Sequence, residues 1–488
     1  QIRAASTNGS QVDIKFSDGA KYRFHGLWLR DSCRDAQHVN QSSTERVLDH
    51  SPVICGVNPA GVAPESVTVE KGALSVKWGG NDPVKQSSFE PAFLRAYADL
   101  VAKPLEPCSD PEAPAPIDVD WLAPYDPTSS VGQNMSGNMK LWKNDDKEPL
   151  PYIDYNTLKD PKEHVKFLRT ILETHGVCIM YNMPDDPECD GSVFDQFAKD
   201  YLGGLQKHPL RETAQWRIST EETKLDESTT FKNNTDRTGS NSFNTDQQLC
   251  NHTDQSLYGT PGALLMFHCA FGQGNNSLTD GFAVADKMRR EFPEYYELLC
   301  KYGMNAGREL MYYKAGDITF TTNAPVFNRA KDGELSRVQY HEIYRAPLTM
   351  SYETFGEWYK AFNKWYELVH SEEFKRHASV EKGQLLICNN WRTLHGRAGL
   401  KGKARIILGG TVTRDAVYSA GRLALSRAYG VPDVHCGAPV KLLPHLAQRS
   451  EPRNDFVLRS FGRESGVYKE DDASRPRKKK MLVGSSAI

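Results

Sequence analysis

Asn251-His252-Thr253-Asp254 sets an imidazole and a carboxylate two positions apart. On an extended strand, residues i and i+2 point to the same side, so both groups can reach one point in space. Two histidines and one carboxylate on a face with open positions form the ligand set of non-haem Fe(II) oxygenases. Two polar residues at this spacing also arise by chance, and a hydrogen-bonded pair at a strand end is the simpler alternative. The metal reading therefore needs a second histidine far downstream.

That histidine is His395, in Asn389-Asn390-Trp391-Arg392-Thr393-Leu394-His395-Gly396-Arg397, and it lies 141 positions after Asp254. The spacing suits a barrel whose distant strands meet at one mouth. Ten residues further on comes Arg405, on the next apolar strand. An oxygenase using 2-oxoglutarate needs such a cation, because the distal carboxylate of that acid calls for a planar bidentate partner. Arg392 and Arg397 flank the distal histidine. Either could serve a structural ion pair, and Arg397 is the one placed to reach the cosubstrate. His268, after an apolar run, reads as a core or supporting histidine rather than a ligand.

The elements that must position these groups fall into two domains. Val12 to Phe16, Tyr22 to Phe24, Ser66 to Val69 and Ala73 to Trp78 alternate as short strands, giving a small β-rich N-terminal domain over 1–102. Residues 103–150 carry seven prolines between Pro104 and Pro127 and read as a linker. The main domain follows over 151–465, with a polar, basic tail over 466–488. Within it, helical spacing appears at 164–175, 286–302 and 351–370, and Gly176 to Tyr181, Ala263 to His268, Gln384 to Cys388 and Ala404 to Leu408 are strand-like. Residues 219–247 are a polar loop too long for simple connection.

A net charge of −2 offers no field for nucleic acid or membrane surfaces. The run Arg475 to Lys480 reads as a solvated tail. Ten cysteines without CxxC pairs fit a reducing compartment, and no segment approaches the ~20 apolar residues of a membrane span. A cytoplasmic location is expected, or a mitochondrial one if a targeting segment has been trimmed ahead of Gln1.

His252-x-Asp254, Asp280-Gly281-Phe282, Asn390-Trp391-Arg392-x-Leu394-His395-Gly396-Arg397 and Arg405 together closely resemble the gamma-butyrobetaine and trimethyllysine hydroxylases, Fe(II)- and 2-oxoglutarate-dependent oxygenases of the TauD-like group. Trp28-Leu29-Arg30-Asp31-x-Cys33-Arg34 resembles that family's N-terminal domain, and Pro209 to Thr213 its entry to the catalytic domain. The resemblance implies a mainly β fold with flanking helices, a double-stranded β-helix (jelly-roll) catalytic domain behind a small β-rich domain. It implies His252, Asp254 and His395 as iron ligands, Arg405 and Asn241 as cosubstrate contacts, O2 as oxidant, and a homodimer. Ser277 and Thr279 stand where such oxygenases offer a hydroxyl to 2-oxoglutarate. Trp216 and Tyr258 are candidates for the substrate pocket.

Departures from the family pattern bear on the substrate. Two tyrosines of its cage around a trimethylammonium group, a cation–π device, correspond here to Asn244 and Thr411, which have no π face. A small-molecule substrate outside carnitine synthesis is therefore expected, with gamma-butyrobetaine or trimethyllysine as the alternative. The family's N-terminal zinc ligands correspond to Cys33, Asp35 and His38, with no fourth ligand near Gly80 to Asp82, and the expectation is that this metal is lost. A non-catalytic barrel would have no reason to retain His252, Asp254, His395 and Arg405 together. A zinc hydrolase would leave Arg405 unexplained and lacks an obvious general base.

Overall fold

The computed structural model describes residues 1–33, 37–38, 62–80, 82, 84–109, 138–144, 147–207, 214–219, 249–303, 306–310, 318–342, 348, 350–397 and 405–429. Asp35, Asn241, Asn244, Pro209 to Thr213, the polar stretch 220–247 and the C-terminal tail lie outside them. The chain divides into two compact units, one built on Gln1–Ala115 and the other on Pro116–Leu442.

The first unit contains β1 (Ile2–Asn8), β2 (Gln11–Phe16), β3 (Lys21–His25), α1 (Gly26–Asp31), β4 (Pro64–Glu70), β5 (Ala73–Trp78), β6 (Gln86–Phe89), α2 (Pro91–Val101) and β7 (Lys103–Glu106). They form a four-stranded sheet in the order β1-β2-β3-β7 and a three-stranded sheet β4-β5-β6. Alternation in β2 buries Val12, Ile14 and Phe16 on one face. Because β7 pairs with β3, this unit runs past the expected boundary at 102 into the proline-rich stretch. Arg30 and Asp82 form a buried bidentate pair, with Nε–Oδ2 at 2.9 Å and Nη2–Oδ1 at 2.8 Å. Of the expected zinc positions, Cys33 Sγ lies near the Ser88 carbonyl and His38 Nε2 lies 3.4 Å from Ser87 Oγ. Asp82 gives its carboxylate to Arg30, so a fourth ligand does not come from there.

The second unit opens with β8 (Tyr152–Asp154) and α3 (Pro161–Arg169). Asp160 caps α3 by accepting from Lys162 N at 2.9 Å, with Pro161 in the first turn. A π-helical turn over Thr170–Thr174 ends it. Then come β9 (Val177–Tyr181), α4 (Ser192–Leu202), β10 (Trp216–Ser219), β11 (Leu249–His252), β12 (Leu264–Phe271), β13 (Gln273–Asp280), α5 (Gly281–Glu291) and α6 (Pro293–Lys301). The single helix expected over 286–302 is thus two, broken at Pro293, which cannot donate into the ladder of α5. Two hairpins follow, β14 (Ala306–Leu310) with β15 (Ile318–Thr322), and β16 (Phe327–Arg329) with β17 (Leu335–Val338). The chain continues through α7 (Tyr352–His370), β18 (Arg376–Glu381), β19 (Leu385–Asn389), β20 (Thr393–Arg397), β21 (Ile406–Val412) and α8 (Arg414–Tyr429).

A six-stranded sheet, β10-β21-β12-β19-β9-β8, faces a four-stranded one, β11-β20-β13-β18. Cys269, Leu386, Cys388 and Ile407 from the first sheet meet Leu278, Ala378 and Val380 from the second in one buried cluster. This is the expected double-stranded β-helix. The outer face of the larger sheet packs Leu264, Met266, Leu385, Ile387 and Leu408 against α3, α4 and α8, and that of the smaller sheet sends Leu394 into the cluster under α5, α6 and α7. Both faces of β12 are therefore covered, which is why Leu-Leu-Met-Phe-His-Cys-Ala reads as a continuous apolar run rather than an alternation.

Residues 138–144 and 147–150, expected as linker, belong to this unit. Trp142 and Leu150 enter the inter-sheet cluster, and Lys140 N donates to the Thr174 carbonyl at 2.8 Å.

Candidate active site

His252 ends β11 directly opposite His395 of β20, the two being cross-strand partners. Asp254 follows two residues later, where the chain has left the strand. His252 Nε2 lies 3.4 Å and His395 Nε2 3.7 Å from Asp254 Oδ1, and one ligand atom from each of the three falls within 4.8 Å of the others. The two histidine side chains are 3% and 7% exposed and Asp254 is 21% exposed, so the triad opens to solvent at the carboxylate.

Hydrogen bonds hold this turn in place. Asn390 Oδ1 accepts from Asp254 N at 2.8 Å, while its Nδ2 donates to the Asp254 and Gly262 carbonyls, each at 3.0 Å. Thr253 N donates to the Tyr340 carbonyl at 2.8 Å, and Tyr340 N donates back to Thr253 Oγ1 at 2.9 Å. Next to Asp254, Gln255 takes a left-handed backbone with φ of 58°, an uncommon conformation for a residue with a Cβ.

His252 Nδ1 sits 2.7 Å from the Cys250 carbonyl oxygen. A carbonyl only accepts, so Nδ1 carries a proton and Nε2 is the nitrogen turned to the Asp254 carboxylate, the one a metal would take in place of a proton. Burial pushes His395 down to about 3, helped by the neighbouring His252 imidazole, and leaves it neutral and able to ligate. Burial alone would raise the Asp254 carboxyl, but the His252 hydrogen bond and the surrounding imidazoles outweigh it and hold the group well below the usual carboxylate range. Two imidazole nitrogens and one carboxylate oxygen, in the right protonation states and open on one side, fit a divalent iron ion.

Residue parity places the other candidates. Arg397 shares the face of His395 on β20. Arg405 precedes inward-facing Ile407, and both arginines are buried. Burial, with the charge of Arg397, pushes Arg405 down to about 10, so it remains a cation at neutral pH beside a second one. Thr411 faces the barrel interior, its hydroxyl accepting from Gln255 Nε2 at 3.1 Å and donating to Gln206 Oε1 at 3.2 Å. Trp216 pairs with Gly409 on β21, where a Cβ would come within 2.3 Å of the indole Nε1. Phe267, the partner of Gly409 on the other side, brings its ring to 5.1 Å from that of His395. Tyr258 is half-buried against the cluster under α5–α7.

Ser277 and Thr279 are not brought to this site, which corrects their expected cosubstrate contact. On β13 inward-facing Leu278 separates them, and both turn outward: Ser277 Oγ donates to Asn251 Oδ1 at 2.5 Å, and Thr279 Oγ1 donates to the Val369 carbonyl of α7 at 2.9 Å. Arg392 is structural. It pairs with buried Asp280 at 2.8 and 3.1 Å and donates to the Thr174 and Lys140 carbonyls. His268 is buried behind the larger sheet, stacked near Phe194 with ring centroids 6.3 Å apart. Sequence reasoning missed His341, which is buried with its ring centroid 4.0 Å from that of His252.

Residues 144–411 match the family described as Taurine catabolism dioxygenase TauD, TfdA family, and residues 3–95 match Gamma-butyrobetaine hydroxylase-like, N-terminal. Barrel, donor set and match define the class, that of the Fe(II)- and 2-oxoglutarate-dependent dioxygenases. The chain belongs to the TauD, TfdA family. Similar curated proteins include a trimethyllysine dioxygenase of Meyerozyma guilliermondii, 24% identical over 85% of this chain and 94% of that one. A gamma-butyrobetaine dioxygenase of Pseudomonas sp. is 24% identical over 81% and 88%, and a mitochondrial trimethyllysine dioxygenase of Bos taurus is 26% identical over 82% of each. Among the described residues, no helix is long and apolar enough to cross a membrane.

Proposed function

We propose that His252, Asp254 and His395 hold Fe(II), that Arg405 and Arg397 receive 2-oxoglutarate, and that the enzyme hydroxylates or desaturates a small molecule without a trimethylammonium group. The observation that carries the metal assignment is the convergence of Nε2, Nε2 and Oδ1 within 4.8 Å at a partly open corner of a buried face. When bound, iron with 2-oxoglutarate and O2 supplies the oxidising chemistry, the cosubstrate leaving as succinate and CO2. The chain's own residues aim and dry the site. Two adjacent buried guanidinium groups repel each other, and a dicarboxylate relieves that repulsion while accepting from both. Phe267 shields the His395 side from water.

The substrate assignment rests on Thr411. A quaternary ammonium ion is held by π faces, whereas this position carries a hydroxyl between two carboxamides, a wall suited to hydrogen-bonding groups. A trimethylammonium substrate is the second reading. The names of the similar curated proteins favour it, as does the indole of Trp216 beside Gly409.

The test is succinate release from 2-oxoglutarate with Fe(II), comparing gamma-butyrobetaine, trimethyllysine and a metabolite extract. Release stimulated by the extract but by neither trimethylammonium compound, and absent in His252→Ala, is expected. Efficient turnover of either named compound establishes the second reading, and release that survives His252→Ala removes the metal assignment.

A further inference from the structure

We infer that His341 is a positioning residue for the metal site, fixing the plane in which His252 presents its Nε2. This inference rests on the proposed reading that His252, Asp254 and His395 are the ligands. Outside the triad, His252 Nδ1 donates to the Cys250 carbonyl at 2.7 Å. A single bond of that kind leaves the ring able to tilt about the Nδ1–oxygen axis, and a tilt swings Nε2 away from the point it shares with Asp254 and His395. The His341 ring blocks that motion. Its centroid is 4.0 Å from that of His252 at an interplanar angle of 32°, while His395 lies 4.3 Å from the same ring.

The segment bearing His341 is anchored so that it can act as a wall. Tyr340 exchanges two hydrogen bonds with Thr253, between His252 and Asp254. Gln339 Nε2 donates to the Ser256 and Tyr258 carbonyls at 2.8 and 2.9 Å, just beyond Asp254. Residues 339–341 are thus laced to both sides of the carboxylate, and His341 itself is 2% exposed. Support of this kind around a ligand is what sets ligand orientation, and losing it typically costs on the order of tenfold or more in metal affinity.

The experiment is a Co(II) titration of the metal-free full chain, followed by the d–d absorption of the bound ion, on wild type, His341→Ala, His341→Phe and His252→Ala. His341→Ala should weaken Co(II) by about tenfold and change the shape of the absorption band. His341→Phe, which keeps a ring against His252, should stay within about twofold of wild type. His341→Ala with wild-type affinity and band shape, beside a His252→Ala variant that no longer binds, overturns the inference and leaves the ligand reading intact. Equal loss in the Ala and Phe variants also overturns it, because the effect then belongs to the imidazole nitrogens rather than to the ring wall. Undiminished binding by His252→Ala fails the ligand reading itself.

Discussion

Replacing Asn390 with alanine should both destabilise the protein and loosen its metal site. The side chain is 1% exposed and makes three hydrogen bonds that tie the backbone of Asp254 to that of Gly262. Net hydrogen bonds contribute about 1 kcal/mol each, and a buried polar group left without its partner costs about 1–3 kcal/mol. One donor and two acceptors are stranded together, so about 3–5 kcal/mol is expected, with partial rescue where water enters. That is about a fifth or more of the ~5–15 kcal/mol that holds a typical domain folded. Denaturant unfolding of metal-free protein reads this loss without contribution from bound ion. Asn390→Asp separates the components. It can still accept from Asp254 N but cannot donate to either carbonyl, and it adds a negative charge near the Asp254 carboxylate. Its Co(II) affinity should rise or hold while its metal-free stability falls. An Asn390→Ala variant within about 0.5 kcal/mol of wild type, with unchanged Co(II) affinity, would refute the view that this clamp sets the Asp254 turn.

Arg405→Ala should raise the 2-oxoglutarate requirement in succinate release by roughly 10- to 150-fold, the equivalent of about 1.5–3 kcal/mol for a charge-assisted bond; an unchanged requirement removes Arg405 from that role. Asp280→Ala leaves the guanidinium of Arg392 buried without its carboxylate and should lower stability by about 3–5 kcal/mol, read as a large fall in melting temperature. Gly409→Ala puts a methyl where the Trp216 indole lies and should shift tryptophan emission to the red as that ring moves toward water; identical emission would show that the indole does not pack there.

The parts of the site legible in the sequence were those whose chemistry is local or chemically unusual. His252 and Asp254 stand two positions apart and His395 is the histidine a facial triad requires, although Asp254 is placed by the turn after β11 rather than by strand parity. The barrel followed from the family motifs and from strands such as Leu385–Asn389, apolar because both faces are covered. Ser277 and Thr279 were misplaced because Gln-Gly-Asn-Asn-Ser-Leu-Thr-Asp shows no alternation of its own. Leu278, its one large apolar residue, could have fixed the parity. The helix expected over 286–302 failed at a proline that the periodicity overlooked. His341 left no trace in the sequence, because it is carried to the site by hydrogen bonds between Thr253 and Tyr340, 87 residues apart, in a segment with no motif.

The segment 138–144 also bears on how the enzyme can be dissected. Arg392, three residues before His395, gives one of its nitrogens to the Lys140 carbonyl, and Trp142 N donates to the Asp280 carboxylate that Arg392 pairs with. A fragment starting at residue 151, where regular secondary structure begins, would delete both contacts and expose a buried ion pair to water beneath the strand that bears the distal histidine. The smallest unit able to keep both contacts therefore begins at or before Lys140, inside a stretch whose composition looks dispensable.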